Sequence, residues 1–294
     1  MSITKYQIFL KTAACGSLSK AAEAMNFTQS GISHAINSLE AELGVTLLSR
    51  NRGGVVLTAD GRALLPQVEK LCAAHHSMMQ TVESLKGMDS GLVKVATFSS
   101  VSFQWLPRIL KSFGQLYPNI EFEVVTGDFY DQIENWIVSG AVDCGFFRLP
   151  STKHLQTYSL YRDELQVVVP CDHPLAQADP FPVEELAAEP FILLEEGEDY
   201  EIMAAFDKMG IRPQVKYTAR EDRTILAMVS EGLGISLLPR LMAKHSPLPV
   251  QICRAPMQFD RPIGIGVKDE KALSKSTKLF VNYVRTWVAE NGDE

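Results

Sequence analysis

A chain of 294 residues, 46% apolar and 21% charged, is long enough for two or three cores and has the balance of a globular protein. It has no apolar run near the ~18 residues that span a bilayer, and Met1–Leu10 lacks the basic flank and apolar core of an export signal, so a cytoplasmic chain without membrane contact is expected. The cysteines Cys15, Cys72, Cys144, Cys171 and Cys253 form no CxxC pair, which predicts buried reduced thiols rather than disulfides or a metal site, and the net charge of −7, its acid gathered after residue 90, gives no electrostatic sign of nucleic acid.

The pattern along the first sixty residues is more informative than the charge. Tyr6, Phe9, Leu10 and Ala13 fall at helical spacing, and Gly16 ends that helix. Ser17 or Ser19 caps a second helix with the small apolar face Ala21, Ala22 and Met25. Thr28 then caps a third helix running to about Glu42. Alanines in the second helix allow the third to cross it closely and steeply, as a helix-turn-helix requires. Ile32, Ala35, Ile36 and Leu39 give the third helix its core face. The opposite stripe is Ser30, Ser33, His34 and Asn37, with Thr28 and Gln29 at its start. All are short polar donors or acceptors and none is acidic, a composition suited to base edges and phosphates in a major groove. An ordinary solvated face would carry Glu and Lys at i, i+4 instead. Val45–Leu48 and Val55–Leu57 flank the turn Arg50-Asn51-Arg52-Gly53-Gly54. That is the pattern of a hairpin wing whose Arg50 and Arg52 grip phosphates or a minor groove.

Thr58 can cap a further helix. Its residues Leu64, Val68, Leu71, His75, Met78, Val82 and Leu85 step by alternating fours and threes, a heptad seam that needs a partner helix. An identical chain is the simplest partner, and it would carry a second recognition helix to the other half of a pseudo-palindromic duplex site. Pro66 is expected to bend this helix.

From Leu92 onward strands and helices alternate, which implies parallel sheets covered by helices. Strands are expected at 92–97, 120–126, 143–147, 165–169, 191–194, 215–218, 235–238 and 262–267, and a last amphipathic helix at 273–288. Ligands of such sheets sit at the carboxyl ends of strands. Those ends hold Thr97, Ser99, Ser100 and Ser102, then Thr126 and Asp128, then Phe147 and Arg148, with Leu194 and Thr218 from the second series. Hydroxyls beside a helix N-terminus suit an anion, Arg148 suits a carboxylate, and Glu195 and Glu196 disfavour a highly charged ligand. A small organic acid is the expectation.

Gly16-Ser17, Ala21-Ala22, Thr28-Gln29-Ser30, Ser33, Leu39-Glu40, Leu43-Gly44, Leu47, Arg50 and Leu57-Thr58 with Gly61 together resemble the LysR-type transcriptional regulators. His34 stands where arginine is common in that family and Ser30 where proline is frequent. The resemblance implies an α/β chain with an N-terminal all-α-type winged helix-turn-helix and a C-terminal two-lobed, periplasmic-binding-protein-like (type 2) effector domain. It implies DNA contact at Gln29, Ser30, Ser33, His34, Arg50 and Arg52. It further implies a homodimer or homotetramer on double-stranded DNA, with RNA polymerase a candidate partner. The expected division is 1–58 for DNA binding, 59–88 for the dimerising linker helix, and 92–294 for the effector. Within the last, lobe I takes 92–162 and 265–294 and lobe II takes 163–264. No GxSxG, GxGxxG or phosphate-loop motif points to an enzyme, and no cofactor, catalytic residue or metal is expected. A constitutive regulator with an empty cleft and a solute-binding protein are the alternatives at this point.

Overall fold

The computed structural model describes residues 2–51, 54–85, 90–195 and 201–293. They fall into two units, Met1–Met88 with Ser139–Val142, and the remainder.

In the first unit α1 (Ile3–Cys15), α2 (Leu18–Met25) and α3 (Gln29–Leu43) pack around Phe9, Ile32, Ile36 and Leu39. Gly16 ends α1 at φ 58°, the left-handed conformation that costs glycine no Cβ clash. Of the two candidate serines, Ser17 is the cap, accepting the Lys20 N–H, and Ser19 lies inside α2. Thr28 caps α3 by accepting the Gly31 N–H at 3.1 Å. Ala21 is completely buried, the close approach the small residue allows. Strands β1 (Leu48–Asn51) and β2 (Gly54–Leu57) pair antiparallel as the wing. Glu40 fixes its root by accepting the N–H groups of Leu47 at 2.7 Å and Leu48 at 3.0 Å.

Helix α4 (Ala59–Leu85) starts at Thr58, whose hydroxyl accepts the Gly61 N–H at 2.9 Å. Its heptad seam divides. Val68 is 2% exposed and packs, with Leu64, into the winged-helix core. These two therefore complete their own unit instead of a partner seam, because the start of α4 lies where that core still has apolar surface to cover. Leu71, Met78 and Val82 are exposed. The side chain of Leu85 lies outside the described residues.

The second unit has two lobes threaded by shared strands. On one side stand β3 (Gly91–Thr97), α5 (Ser99–Gln104), α6 (Leu106–Leu116), β4 (Ile120–Thr126), α7 (Tyr130–Ser139) and β5 (Cys144–Arg148). Strand β6 (Gln156–Pro170) leaves this lobe for the other. There α8 (Val183–Ala188), β7 (Pro190–Leu194), α9 (Glu201–Met209), β8 (Gln214–Ala219), α10 (Asp222–Ser230), β9 (Ser236–Pro239), α11 (Arg240–Ala243) and β10 (Val250–Arg254) surround a separate apolar core. Strand β11 (Asp260–Val267) returns, and α12 (Lys275–Asn291) closes the first lobe.

The sheet order β10-β6-β11-β5-β3-β4, with β9 also on β6, is mixed rather than parallel as expected. Strand β3 runs parallel to β4 and β5, and β7 parallel to β8. Strand β11 is antiparallel to β5 and β6, and β6 to β9 and β10. The difference arises because β6 and β11 are long connecting strands, not steps of a βα series. One half of β6 pairs with β11 and the other with β9 and β10. Residues 156–162 of β6 are mostly polar and half-exposed, so only its buried second half was visible as an apolar run. Of the cysteines, Cys144 and Cys253 are buried but Cys171 is exposed, contrary to the expectation of uniform burial.

A Cβ on Gly61 would lie 2.1 Å from the Leu47 carbonyl oxygen, whereas one on Gly114 in α6 would meet nothing within 4 Å. Glycine to alanine inside a helix ordinarily stabilises by roughly 0.5–1 kcal/mol. Gly114→Ala should follow that sign, while Gly61→Ala should lose about 1–3 kcal/mol to overpacking. Denaturant unfolding of the two variants checks the opposition, and a stabilised Gly61→Ala would refute it.

Candidate functional site

The polar stripe of α3 lies on the surface of the first unit. Gln29, Ser30, His34 and Asn37 are exposed and Ser33 is half-buried. Arg50 on the wing donates from its guanidinium to Ser33 Oγ at 2.8 Å. This contact joins the wing's cation to the recognition helix. Ser19 of α2 donates to Gln29 Oε1 at 3.1 Å, a support that the sequence offered only as a rival capping residue. Thr28 is spent on the cap and on a 3.1 Å contact with Ser30. Arg52 lies outside the described residues.

In the second unit a cavity of about 340 Å³ opens between the lobes. Five of the expected residues line it: Ser99, Ser102, Thr126, Asp128 and Leu194. Thr97, Ser100 and Phe147 are fully buried behind it, and Thr218 stands exposed on β8 without lining it. Arg148 does not line it either; its guanidinium lies 3.0 Å from Glu201. The hydroxyls expected to face a ligand serve the protein as well. Ser99 donates to Asp222, Ser102 donates to the Ser99 carbonyl at 2.8 Å, and Ser100 accepts from Arg261 at 2.8 Å.

The chemistry that the sequence concealed centres on Arg261, at the start of β11. It is 4% exposed and lines the cavity. Its guanidinium donates to Asp163 at 2.6 Å and to the Tyr130 hydroxyl at 3.2 Å, and lies 5.2 Å from the Phe98 ring centroid. Asp163 also accepts the N–H groups of Glu164 at 2.9 Å and Leu241 at 3.0 Å. Burial works against the Arg261 charge, but Tyr130, Asp163, Glu201 and Asp222 outweigh it and raise its pKa above the ordinary value. Burial likewise raises Asp222 above the usual carboxylate range, against the Ser99 hydroxyl and Arg261. Asp222 and Arg223 open α10, and Arg223 sits 4.1 Å from the centroid of Phe103 across the cavity. Arg220-Glu221-Asp222-Arg223 and Asp260-Arg261 lie just outside the strands expected at 215–218 and 262–267, and nothing in their spacing marks a site. Only the return of β11 past β6 gives them a common place.

Residues 3–62 match the model of the bacterial regulatory helix-turn-helix proteins of the lysR family, and residues 86–289 match the LysR substrate binding domain. The chain belongs to the LysR family. It is a DNA-binding transcription regulator with a substrate-binding domain. The probable HTH-type transcriptional regulator LrrA of Synechococcus elongatus is 32% identical over 292 residues, covering 99% of this chain and 98% of LrrA. The uncharacterized HTH-type regulator YvbU of Bacillus subtilis is 30% identical over 288 residues, covering 97% and 98%. Among solved structures, the LysR regulator CbnR superposes with a TM-score of 0.73 at 22% identity over 97% of this chain and 99% of its own. No helix among the described residues is long and apolar enough to cross a membrane.

Two outcomes follow for the buried charges of this LysR-family chain. Arg261→Met strands Asp163 in the interior and should cost about 3–5 kcal/mol in denaturant unfolding; a neutral result would show the pair to be dispensable. The Glu201 side chain is buried and pairs with Arg148, whose guanidinium lies 3.0 Å from its carboxylate. Burial raises its pKa, opposed by Arg261 and Arg148. The folded state thus holds this proton more tightly than the unfolded chain does. The stability it contributes is present at acid pH and lost as pH rises through the folded-state value. Glu201→Gln should therefore gain stability relative to the parent as the pH rises above the ordinary carboxylate range. A pH-independent difference would exclude that linkage.

Proposed function

We propose that this LysR-family chain works as a dimer that reads a pseudo-palindromic promoter site, and that a small organic acid in the inter-lobe cavity shifts its DNA-bound geometry. The observation that carries this reading is the cavity itself, lined from both lobes and bridged by Ser99 with Asp222 and by Phe103 with Arg223. A ligand touching both walls has different contacts in open and closed arrangements, and differential contact is what a population shift requires. The cavity's proposed role is binding rather than catalysis. Arg223 is its carboxylate contact. Among the described residues no ion pair is recorded for it, and stacking on Phe103 orients the guanidinium plane while leaving its edge for bidentate hydrogen bonds.

On the DNA side, Gln29, Ser30, His34 and Asn37 face base edges, while Ser33 positions Arg50 for the backbone. The division of labour follows the proposed segments: 1–58 for DNA, 59–88 for pairing, 92–294 for the effector. CbnR, similar in fold, has been solved with its target DNA, which supports duplex DNA as the partner of this chain. DNA as the partner supports a cytoplasmic location. Footprinting of the gene's own upstream region with and without organic acids tests the whole reading; a footprint unchanged by every acid would remove the effector half.

Arg50→Ala should weaken binding to all duplexes alike and flatten the log–log salt dependence by about one unit. Gln29→Ala should instead cost about 1–3 kcal/mol at one base position only. Anisotropy titrations over a salt series separate the two, and the assignment fails if Arg50→Ala changes sequence preference instead of the salt slope. For the dimer, Met78→Glu on the exposed part of α4 should shift sedimentation towards the monomer, while Val68→Ala should lower the unfolding midpoint without altering association. Unchanged sedimentation of Met78→Glu would place the interface elsewhere.

A further inference from the structure

We propose that the acid bound in the cavity also carries a protonated amine, so that the ligand is an amino acid or a close zwitterionic relative. This rests on the reading of the cavity given above and narrows its ligand class.

The inference comes from following each lining charge to its partner. Among the described residues three arginines face the cavity: Arg220, Arg223 and Arg261. Arg261 is committed to Asp163 at 2.6 Å, and Arg220 to Glu195 at 3.1 Å. Arg223 is left. Among the described residues four carboxylates face the same space: Asp128, Glu195, Glu221 and Asp222. With Glu195 taken by Arg220, three remain against one cation. A ligand bearing only carboxylates would add like charge to that surplus. A protonated amine supplies a counter-charge and three N–H donors.

Asp222 is the group that most requires such a donor. It is 6% exposed and lines the cavity, and among the described residues its one side-chain hydrogen-bond donor is the Ser99 hydroxyl, with Arg261 near enough to favour its charge. A buried carboxylate in that position is costly unless paired, and its proton affinity is raised by burial. Asp128, exposed just after β4 on the wall of the other lobe, faces the same cavity and is the second carboxylate of the proposed seat. Arg223 holds the carboxylate end, and the rings of Phe98, Phe103 and Phe129 with Leu194 offer apolar walls to the remainder.

The test is titration calorimetry on the full chain with four matched panels: the twenty L-amino acids, their N-acetyl derivatives, the corresponding 2-oxo acids, and the amines left by decarboxylation. The expected result is binding of one or a few amino acids, with at least a tenfold loss for the N-acetyl and 2-oxo partners of each binder. Asp222→Asn should reduce amino-acid affinity at least tenfold. Asp128→Asn, at an exposed position, should reduce it severalfold even if the Asp222 variant folds poorly. Equal or tighter binding of the 2-oxo or N-acetyl compounds would overturn the amine while leaving the organic-acid reading standing. Amines binding as tightly as their amino acids would overturn the carboxylate half, and with it the reading on which this one rests. Silence in all four panels, or unchanged affinity in both variants, overturns the proposal.

Discussion

A guanidinium removed from water must find its counter-charge within the protein, and Arg261 finds it where the two lobes meet. Its strand, β11, returns from one lobe to the other and pairs with β6 along the way. Asp163 lies on β6 at the register of Arg261, so the ladder itself brings the ion pair together. Ser100 at the start of α5 and Tyr130 at the start of α7 then close around the same guanidinium. The cavity has its shape because four elements converge on one buried cation. Replacing the pair with apolar side chains of similar size could preserve packing, but it would remove the polar wall that a ligand meets.

That polar wall is unevenly balanced, and the imbalance gives the cavity its chemistry. Hydroxyls expected to stand free are engaged by protein groups: Ser99 with Asp222, Ser100 with Arg261. Arg148, the cation expected to hold an anion, is paired with Glu201 instead. The groups still facing the cavity are Arg223 on a phenylalanine ring and a set of carboxylates. Recognition by such a site depends on which charges are left over after the protein has paired its own, not on the number of charged residues lining it.

The DNA-reading unit follows a different logic, in which short-range chemistry suffices. Its helix caps, the glycine at the end of α1, and the Glu40 clasp on the wing are contacts between residues near in sequence or joined by tight turns. A polar face opposite an apolar one on α3 needs only 3.6-residue periodicity to be recognised. Even here a tertiary demand intervened: the heptad run of α4 was read as one seam, but its first two members were drawn into the local core. A hydrophobic period states that a face will be buried; it does not state against what.

The sequence by itself determined the winged helix-turn-helix, the polar stripe of α3, most strand positions of the second unit and the general location of the cavity at strand ends. These rest on spacing, capping and turn chemistry, all local along the chain. Only the tertiary structure decided the mixed sheet, the shared strand β6 and the partners of Arg148, Asp222 and Arg261. A charged residue's role depends on what lies within a few ångströms of it. Arg261 is separated from Asp163 by 98 residues and from Ser100 by 161. No periodicity encodes a meeting at that distance. It is produced by antiparallel register and by the cost of burying a charge without its partner.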